Sequence, residues 1–548
     1  MGSAKKNKSN KSKSPTGRYW GWIAISLIVL FIAIIRIRLL ATPLERDEGE
    51  YAYMGQLMLQ GIAPYKLACN MKFPGTYAAY AIIMAIFGQS ISGVHLGLLL
   101  ANAATIILMF LLGWRLFGQL AGVVAGATYG ILSLSSSFLG QAGHATHFVV
   151  LAALGGTLLL LKAIDSGKRS HLFLSGLLFG LAILMKQSGV FFCVFAVVYL
   201  FFTWRKNGSA NRRIRLLNLG ILLLGIILPV GITFLILWCT GVFDKFWFWT
   251  FTYAREYSSQ IPSSAAPGVF WSAITRAIGP GGVLWIISGF GLIALLLDRN
   301  ARSKAGFVVL FLVCAFLTVC PGFYFRNHYF IQFIPALSLL AGVAVSSCRR
   351  MLYTSKVPKV ISVLPVVIFI AAFAYTVDCQ KDVFFTLSPD QVCSKTYTIN
   401  PFPEAVKIAD YIKRHTDKND TIAVIGSEPE IYFYSGRHSA TSYIYTYSLM
   451  EEQKYASDMQ RDMIGEIDEA KPKFIVLVKI PTSWLASAES DRLIFDWSSR
   501  YVYDHYDPVG VADITPEDTE YVWGADLLNY SLKSSYNVVV FKRKGTTY

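Results

Sequence analysis

Acidic residues are scarce over most of the chain. Residues 1–376 hold 8 Asp and Glu against 32 Lys and Arg, whereas residues 377–548 hold 26 against 18. Only 15% of the 548 residues are charged and 54% are hydrophobic, and the mean hydropathy is +0.47. So little charge excludes an ordinary soluble protein for the first part and indicates a polytopic membrane protein. The basic excess lies in that membrane part, where loop charge sets orientation, so no nucleic-acid partner is expected. A Gly-rich phosphate loop is missing, because GLAILMKQSG lacks the glycine spacing. An Asp-x-Asp motif is missing from the loops assigned to the outer side, which disfavours a nucleotide-sugar donor. No internal repeat stands out.

Apolar runs of spanning length, about 20 residues, cover 19–40, 93–113, 119–137, 147–164, 171–185, 187–203, 216–238, 281–297, 305–320, 328–347 and 358–376. They predict 11 crossings. The basic tail, residues 1–18, carries six cations and no acid, and is expected in the cytoplasm. It lacks a cleavage site, and the first apolar run is too long for a signal-peptide core. The loops holding Lys168 and Arg169, Arg205 to Arg215, Arg299 to Lys304 and Arg349 to Lys359 fall on the same side. An odd count then places residues 377–548 outside the plasma membrane, as a soluble extracytoplasmic domain. Within the membrane part, 19–376, the larger outer segments are 41–92 and 239–280.

The last domain mixes the strands TIAVIG (421–426), KFIVLV (473–478) and YNVVVFKRK (536–544) with helices near 404–415 and 451–469, an α/β pattern. In the first outer segment, GEYAYMGQLMLQG reads as an amphipathic helix lying at the interface. TYAAYAIIMAIFG (76–88) reads as a second, partly embedded helix. Cys379 and Cys393 lie where oxidation is permitted, and whether they form a bridge is left open.

Four of the eight acids before residue 377 crowd into one stretch, LERDEGEY at 44–51. Asp47 with Glu50 three positions later resembles a capping box. Capping and solvation do not account for the neighbouring cations Lys72 and Arg326, predicted on the same side with Arg36 and Arg38. A carboxylate pair facing cations at a bilayer interface suggests an acid–base group beside an anion site, and the natural anion there is a lipid phosphate. In FYFRNHYFIQFIPALSLLAG (323–342), Arg326, His328 and Tyr329 open an otherwise apolar span. Arg can grip a phosphate through two parallel hydrogen bonds, although snorkelling and aromatic belting suit these residues as well.

RDEGEYAYMGQLMLQGIAPY, KFPGTYAAYAIIMAIFG, GLAILMKQSG and FYFRNHYFIQFIPALSLLAG, in that order, resemble landmarks of the bacterial GT-C membrane glycosyltransferases. The similar branch is related to protein O-mannosyltransferases and to the lipid A aminoarabinose transferase. The resemblance implies a GT-C fold, with sugar transfer from a polyprenyl-phosphate donor to a hydroxyl acceptor (glycan, lipid or protein) at the outer face, and inversion at the anomeric carbon. By motif position, Asp47 is the implied catalytic carboxylate, Glu48 its partner, and Lys72 the implied phosphate ligand. Arg326 and Arg255 are further phosphate candidates. Tyr65, His147, His328 and Tyr329 are candidate substrate contacts, and Trp247, Trp249, Tyr253 and Tyr257 offer rings for a sugar or isoprenoid.

Two departures stand out. Glu50 occupies a position where aminoarabinose-transferring members carry Arg, and Met71 one where they carry a metal-linked Glu. Both argue against aminoarabinose transfer. A divalent metal stays possible through His144 and His147 with Asp47 or Glu48, but no metal ligand is assigned. A transporter or flippase of the lipid-linked sugar, or a membrane sensor, is the alternative. The first would place charges deep within the spans, and the second would not need Asp47.

Overall fold

The computed structural model describes residues 16–207, 211–515 and 517–545. Five of the six cations of the N-terminal tail, and the middle of the 205–215 loop, lie outside the described residues. The chain opens with α1 (Thr16–Arg38), α2 (Arg46–Leu59), α3 (Gly75–Phe87), α4 (Ile91–Phe117), α5 (Gln119–Leu132), α6 (Ala145–Ser166), α7 (Arg169–Met185), α8 (Val190–Asn207) and α9 (Arg212–Cys239). Further apolar helices cover Gly282–Leu297, Ala305–Leu317, Ile334–Thr354 and Leu364–Asp378. Every apolar run read from the sequence falls on a helix.

Six helices among the described residues are long and apolar enough to cross a membrane by length and composition, α1, α4, α6 and α9 among them. α5, α7 and Ala305–Leu317 are shorter. The exposed faces are greasy rather than polar. α1 presents Leu27, Leu30, Ile34 and Ile37, and α9 presents Leu224, Ile227, Leu228 and Leu235. Apolar side chains at three- and four-residue spacing on an open face are a lipid-facing stripe, and the chain is an integral membrane protein. Small residues let the helices close up. A Cβ on Gly176 of α7 would lie 2.9 Å from the Gly225 Cα of α9, so only glycine permits this crossing.

The C-terminal part folds around one six-stranded sheet among the described residues, in the order β2-β1-β3-β6-β4-β5. Its strands are β1 (Thr421–Ile425), β2 (His438–Ser439), β3 (Phe474–Lys479), β4 (Tyr506–Ile514), β5 (Thr519–Trp523) and β6 (Asn537–Arg543). β1 runs parallel to β2 and β3, while β6 runs antiparallel to β3 and β4. In β3, Phe474, Ile475, Val476 and Val478 are buried, consecutive positions included, as in a central strand covered on both faces. The helix Phe402–Arg414 buries Phe402, Ala405, Ile408, Ala409 and Ile412, a stripe of helical period.

One expectation is corrected here, and the open question of the two outer cysteines is answered. α2 is not an interfacial helix, because nearly every residue from Arg46 to Leu57 is buried. It packs against α3 and against the helix Glu430–Ser435 of the α/β unit. Gly49 makes this possible, since a Cβ there would stand 2.6 Å from the Glu430 Cβ. The polar residues of α2 are used in protein contacts rather than on headgroups. All eight cysteines are free, so Cys379 and Cys393 are not bridged, and the Cys393 thiol donates to the Pro43 carbonyl at 3.9 Å.

Candidate active site

The acidic stretch divides its four carboxylates by their surroundings. Glu45 is the N-cap of α2 and accepts from the Glu48 amide at 3.1 Å. Glu48 reaches back to the Glu45 amide at 3.5 Å. The capping box therefore lies two residues earlier than the Asp47–Glu50 pair read from the sequence, and Asp47 is left free in the first helical turn. The helix dipole favours an anion there. Side-chain exposures of 9% for Glu45, 15% for Asp47, 2% for Glu48 and 0% for Glu50 single out Asp47 as the most open of the four.

Lys72 joins two of them. Its Nζ stands 2.7 Å from Asp47 Oδ1 and 2.7 Å from Glu50 Oε2. Glu50 also accepts from the Tyr77 hydroxyl and from Asn70 Nδ2, both at 2.7 Å. Burial works to raise the Asp47 carboxyl, but Lys72, His144 and His328 outweigh it and hold Asp47 well below the usual carboxylate range. At Glu50 the balance reverses: complete burial outweighs Lys72 and displaces the carboxyl upward. Tyr445, from the α/β unit, donates to Asp47 Oδ1 at 3.4 Å.

A cavity of about 930 Å³ opens beside Asp47. It is lined by Asp47, Lys72, Arg255, Arg326, His328 and Tyr329 of the residues singled out in the sequence. Trp249, Tyr253 and Tyr257 line it as well.

The remaining candidates lie elsewhere. Glu48 faces away from the cavity, accepting from the Gly143 amide at 2.5 Å and pairing with His95 Nε2 at 3.3 Å. Its position fixes the 140–144 loop. Tyr65 is fully buried, and its hydroxyl donates to the Lys72 carbonyl at 2.6 Å, so it supports the Lys72 segment and lines no part of the cavity. His147 is buried inside α6 and is likewise not a lining residue. Trp247 is largely exposed. Arg36 and Arg38 do not form an anion site. Arg36 donates to the Ser133 and Gly140 carbonyls, and Arg38 to those of Val383 and Leu387.

Asp47, His144 and His328 offer ligand atoms that lie within 4.8 Å of one another. Nδ1 of His144 is 3.7 Å and Nε2 of His328 is 3.8 Å from Asp47 Oδ2, and the two imidazoles stack with centroids 4.2 Å apart. Both ring nitrogens of His144 are buried without a hydrogen-bond partner. Lys72 occupies Oδ1 and leaves Oδ2 toward the histidines, a donor set that suits a divalent cation. The second histidine is His328, not the His147 paired with His144 in the sequence reading.

Lys186, Tyr445, Tyr447 and Glu451 also line the cavity and were not singled out in the sequence. The run TSYIYTYS, with Tyr at 443, 445 and 447, and a lone Lys between two apolar runs were the available signals.

The family model for dolichyl-phosphate-mannose-protein mannosyltransferase matches residues 72–232. An undecaprenyl phosphate-alpha-4-amino-4-deoxy-L-arabinose arabinosyl transferase of Pseudomonas aeruginosa is 30% identical over 146 residues, 25% of this chain and 26% of that protein. The aligned part thus spans about a quarter of the length of the curated relatives. In fold, the chain is similar to ArnT from Cupriavidus metallidurans bound to undecaprenyl phosphate. The TM-score is 0.58 at 14% identity, over 96% of this chain and 98% of that one. It is also similar to the archaeal oligosaccharyltransferase AglB from Archaeoglobus fulgidus, solved with an inhibitory peptide and a dolichol-phosphate. There the TM-score is 0.53 at 11% identity, over 95% of this chain and 76% of that one. The resemblance read from the sequence holds. The fold is of the GT-C type, and the chain is related to the protein mannosyltransferases and to ArnT.

Proposed function

We propose that the protein is an inverting glycosyltransferase that moves a sugar from a polyprenyl-phosphate carrier to a hydroxyl acceptor. The observation that carries this reading is one cavity holding both an accessible, ionised carboxylate and several cations. It lies where apolar helices meet a polar α/β unit. Asp47 takes the proton of the acceptor hydroxyl as that oxygen attacks the anomeric carbon. The bond from that carbon to the phosphate oxygen breaks, and the polyprenyl phosphate leaves with its negative charge on the cationic wall. Tyr329 and Tyr445 border the space for the sugar, and His328 keeps Asp47 company on the Oδ2 side. A divalent cation held by Asp47, His144 and His328 would supply Lewis-acid charge beside the reacting phosphate.

On the reading of eleven crossings with the N-terminus in the cytoplasm, taken from apolar runs and loop charge, this cavity and the α/β unit lie on the outer face of the plasma membrane. Lipid-linked donors serve such a site, since nucleotide sugars do not. The carriers named in the two structural neighbours, undecaprenyl phosphate and dolichol-phosphate, support the donor class. Glu50 and Met71 weigh against aminoarabinose as the sugar.

Purified wild-type protein and Asp47→Asn should be tested against a panel of polyprenyl-phosphate sugars with radiolabelled sugar. The wild type is expected to transfer with at least one donor, and Asp47→Asn to bind that donor with transfer reduced at least 100-fold. Full transfer by the Asn variant would remove Asp47 from the role of base.

A further inference from the structure

Tyr445 reaches Asp47 from a stretch of chain that has no regular structure of its own. Thr441 to Thr446 lie in neither helix nor strand, between β2 and the short helix Tyr447–Met450. Backbone outside a ladder needs other partners, and here one side chain supplies several. Glu466, on the helix Ala456–Ala470, accepts from the Thr441 hydroxyl at 2.6 Å, from the Ser442 amide at 2.8 Å and from the Ser442 hydroxyl at 2.9 Å. One turn earlier on the same helix, Asp462 accepts from the Tyr443 hydroxyl at 3.2 Å. Residues four apart share a helix face, so this face grips three consecutive residues of the loop.

The loop passes that constraint to the site in three places. The Ser442 carbonyl accepts from the Cys69 amide at 2.9 Å, and Cys69 begins the irregular segment that ends at Lys72. Tyr443 meets the cavity-lining Trp249 edge to face, with centroids 5.8 Å apart. Tyr445 then donates to Asp47 Oδ1 at 3.4 Å, the oxygen that Lys72 holds at 2.7 Å.

Glu466 itself lies outside the cavity lining, so any effect on the reaction runs through the loop. Charge-assisted hydrogen bonds hold their donors more firmly than neutral ones. The Tyr445–Asp47 contact is already long for a hydrogen bond. A small displacement of the loop therefore decides whether it is made.

We propose that Glu466 is a positioning residue for sugar transfer, holding the Thr441–Thr446 loop so that Tyr445 and the Cys69–Lys72 segment converge on Asp47. This assignment rests on the glycosyltransferase reading above.

Cys69 reports on the loop independently of turnover. Its thiol is buried, and burial pushes it up to about 12, so it is inert while the loop is in place. The full chain in nanodiscs is treated with N-ethylmaleimide and the labelled peptides are quantified. Cys69 should react about tenfold faster in Glu466→Ala than in wild type, because the loosened loop opens more often. Cys379, which is exposed, should react equally in both.

Kinetics use the polyprenyl-phosphate sugar that the wild type transfers. Glu466→Ala is expected to lower kcat about tenfold while the donor Kd stays within about threefold of wild type. Glu466→Gln keeps an acceptor for the Ser442 amide and should recover most of the kcat. In a Tyr445→Phe background the Ala change should cost less than it does alone, as for two residues acting through one contact. If size exclusion shows that Glu466→Ala fails to fold, Thr441→Val takes its place. That change removes one donor at nearly constant volume and should move both readouts the same way by less. Wild-type labelling of Cys69, an unchanged kcat, or losses that multiply in full with Tyr445→Phe would each overturn the assignment. A wild type that transfers from no donor overturns the glycosyltransferase reading instead, and Cys69 labelling then still decides whether Glu466 holds the loop.

Discussion

The Tyr445 hydroxyl donates to Asp47 Oδ1 at 3.4 Å, across 398 residues of chain. The α/β unit therefore supplies a side chain to the carboxylate at the head of α2. Tyr445→Phe removes one hydrogen bond to a charged acceptor, worth about 1–2 kcal/mol. The expected result is a fall in kcat of roughly 5- to 30-fold with donor affinity little changed. Steady-state kinetics on the purified variant would measure it, and an unchanged kcat would remove Tyr445 from the site.

Arg46 carries the next contact between the same two parts. It pairs with Glu428 at 2.9 Å and donates to the Tyr447 hydroxyl at 2.7 Å and to Asn400 Oδ1 at 3.1 Å. Arg46→Ala leaves Glu428 buried and unpaired, so stability should drop by about 3–5 kcal/mol. Replacing Arg46 and Glu428 together by Met should restore much of it, because the unpaired charge is gone. Thermal unfolding in detergent distinguishes the two variants.

Gly49 faces Glu430 so closely that no side chain fits between them. A methyl group there would lie 2.7 Å from the Glu430 backbone nitrogen. Gly49→Ala is expected to cost about 1–3 kcal/mol by overpacking and to lower the Tm. An undiminished Tm would mean that the contact yields without strain.

Glu451 gives a pH dependence. Burial raises its carboxyl to about 7, against the hydrogen bond from Tyr253 and the nearby Arg326 and Gln260. The folded state then holds this proton more tightly than the unfolded chain, whose carboxyl titrates near 4.5. The stabilising contribution is complete below about 4.5 and is lost as the pH rises through about 7. Glu451→Gln mimics the protonated form. Wild type should match it in Tm at low pH and fall below it as the pH approaches 8. Glu45, also raised to about 7, is present in both proteins and cancels from the difference. Parallel Tm curves would contradict the assignment.

Much of the architecture was legible because apolar periodicity and loop charge are strong signals in a membrane chain. All the apolar runs, and the strands β1, β3 and β6, could be read directly. β2 has two residues, and β4 and β5 carry mixed polarity, so neither alternation nor an apolar run announced them. At the site, Asp47, Lys72 and Arg326 were found because charge is rare around them. Their pairing was not legible, since Lys72 lies 25 residues from Asp47 in the chain and nothing local reveals that Glu50 shares it. The cap was misread by two residues because Glu is an unusual N-cap, and rules weighted toward Asp and Ser passed over Glu45. Tyr65 and His147 were overvalued. Type and sequence position resemble those of lining residues, but burial is a property of the fold.

The contact of Gly49 with Glu430 also bears on how the molecule comes into being. The helix that covers α2 follows 381 residues after it in the chain, so the intervening apolar helices are made before it. Until then Arg46 has no Glu428 and Asp47 no Tyr445. The site at the head of α2 is therefore incomplete until the α/β unit packs onto it, and a nascent chain arrested before residue 426 would lack Glu428, Glu430 and Tyr445. Newly made protein thus gains this geometry only after Glu428, Glu430 and Tyr445 have been made.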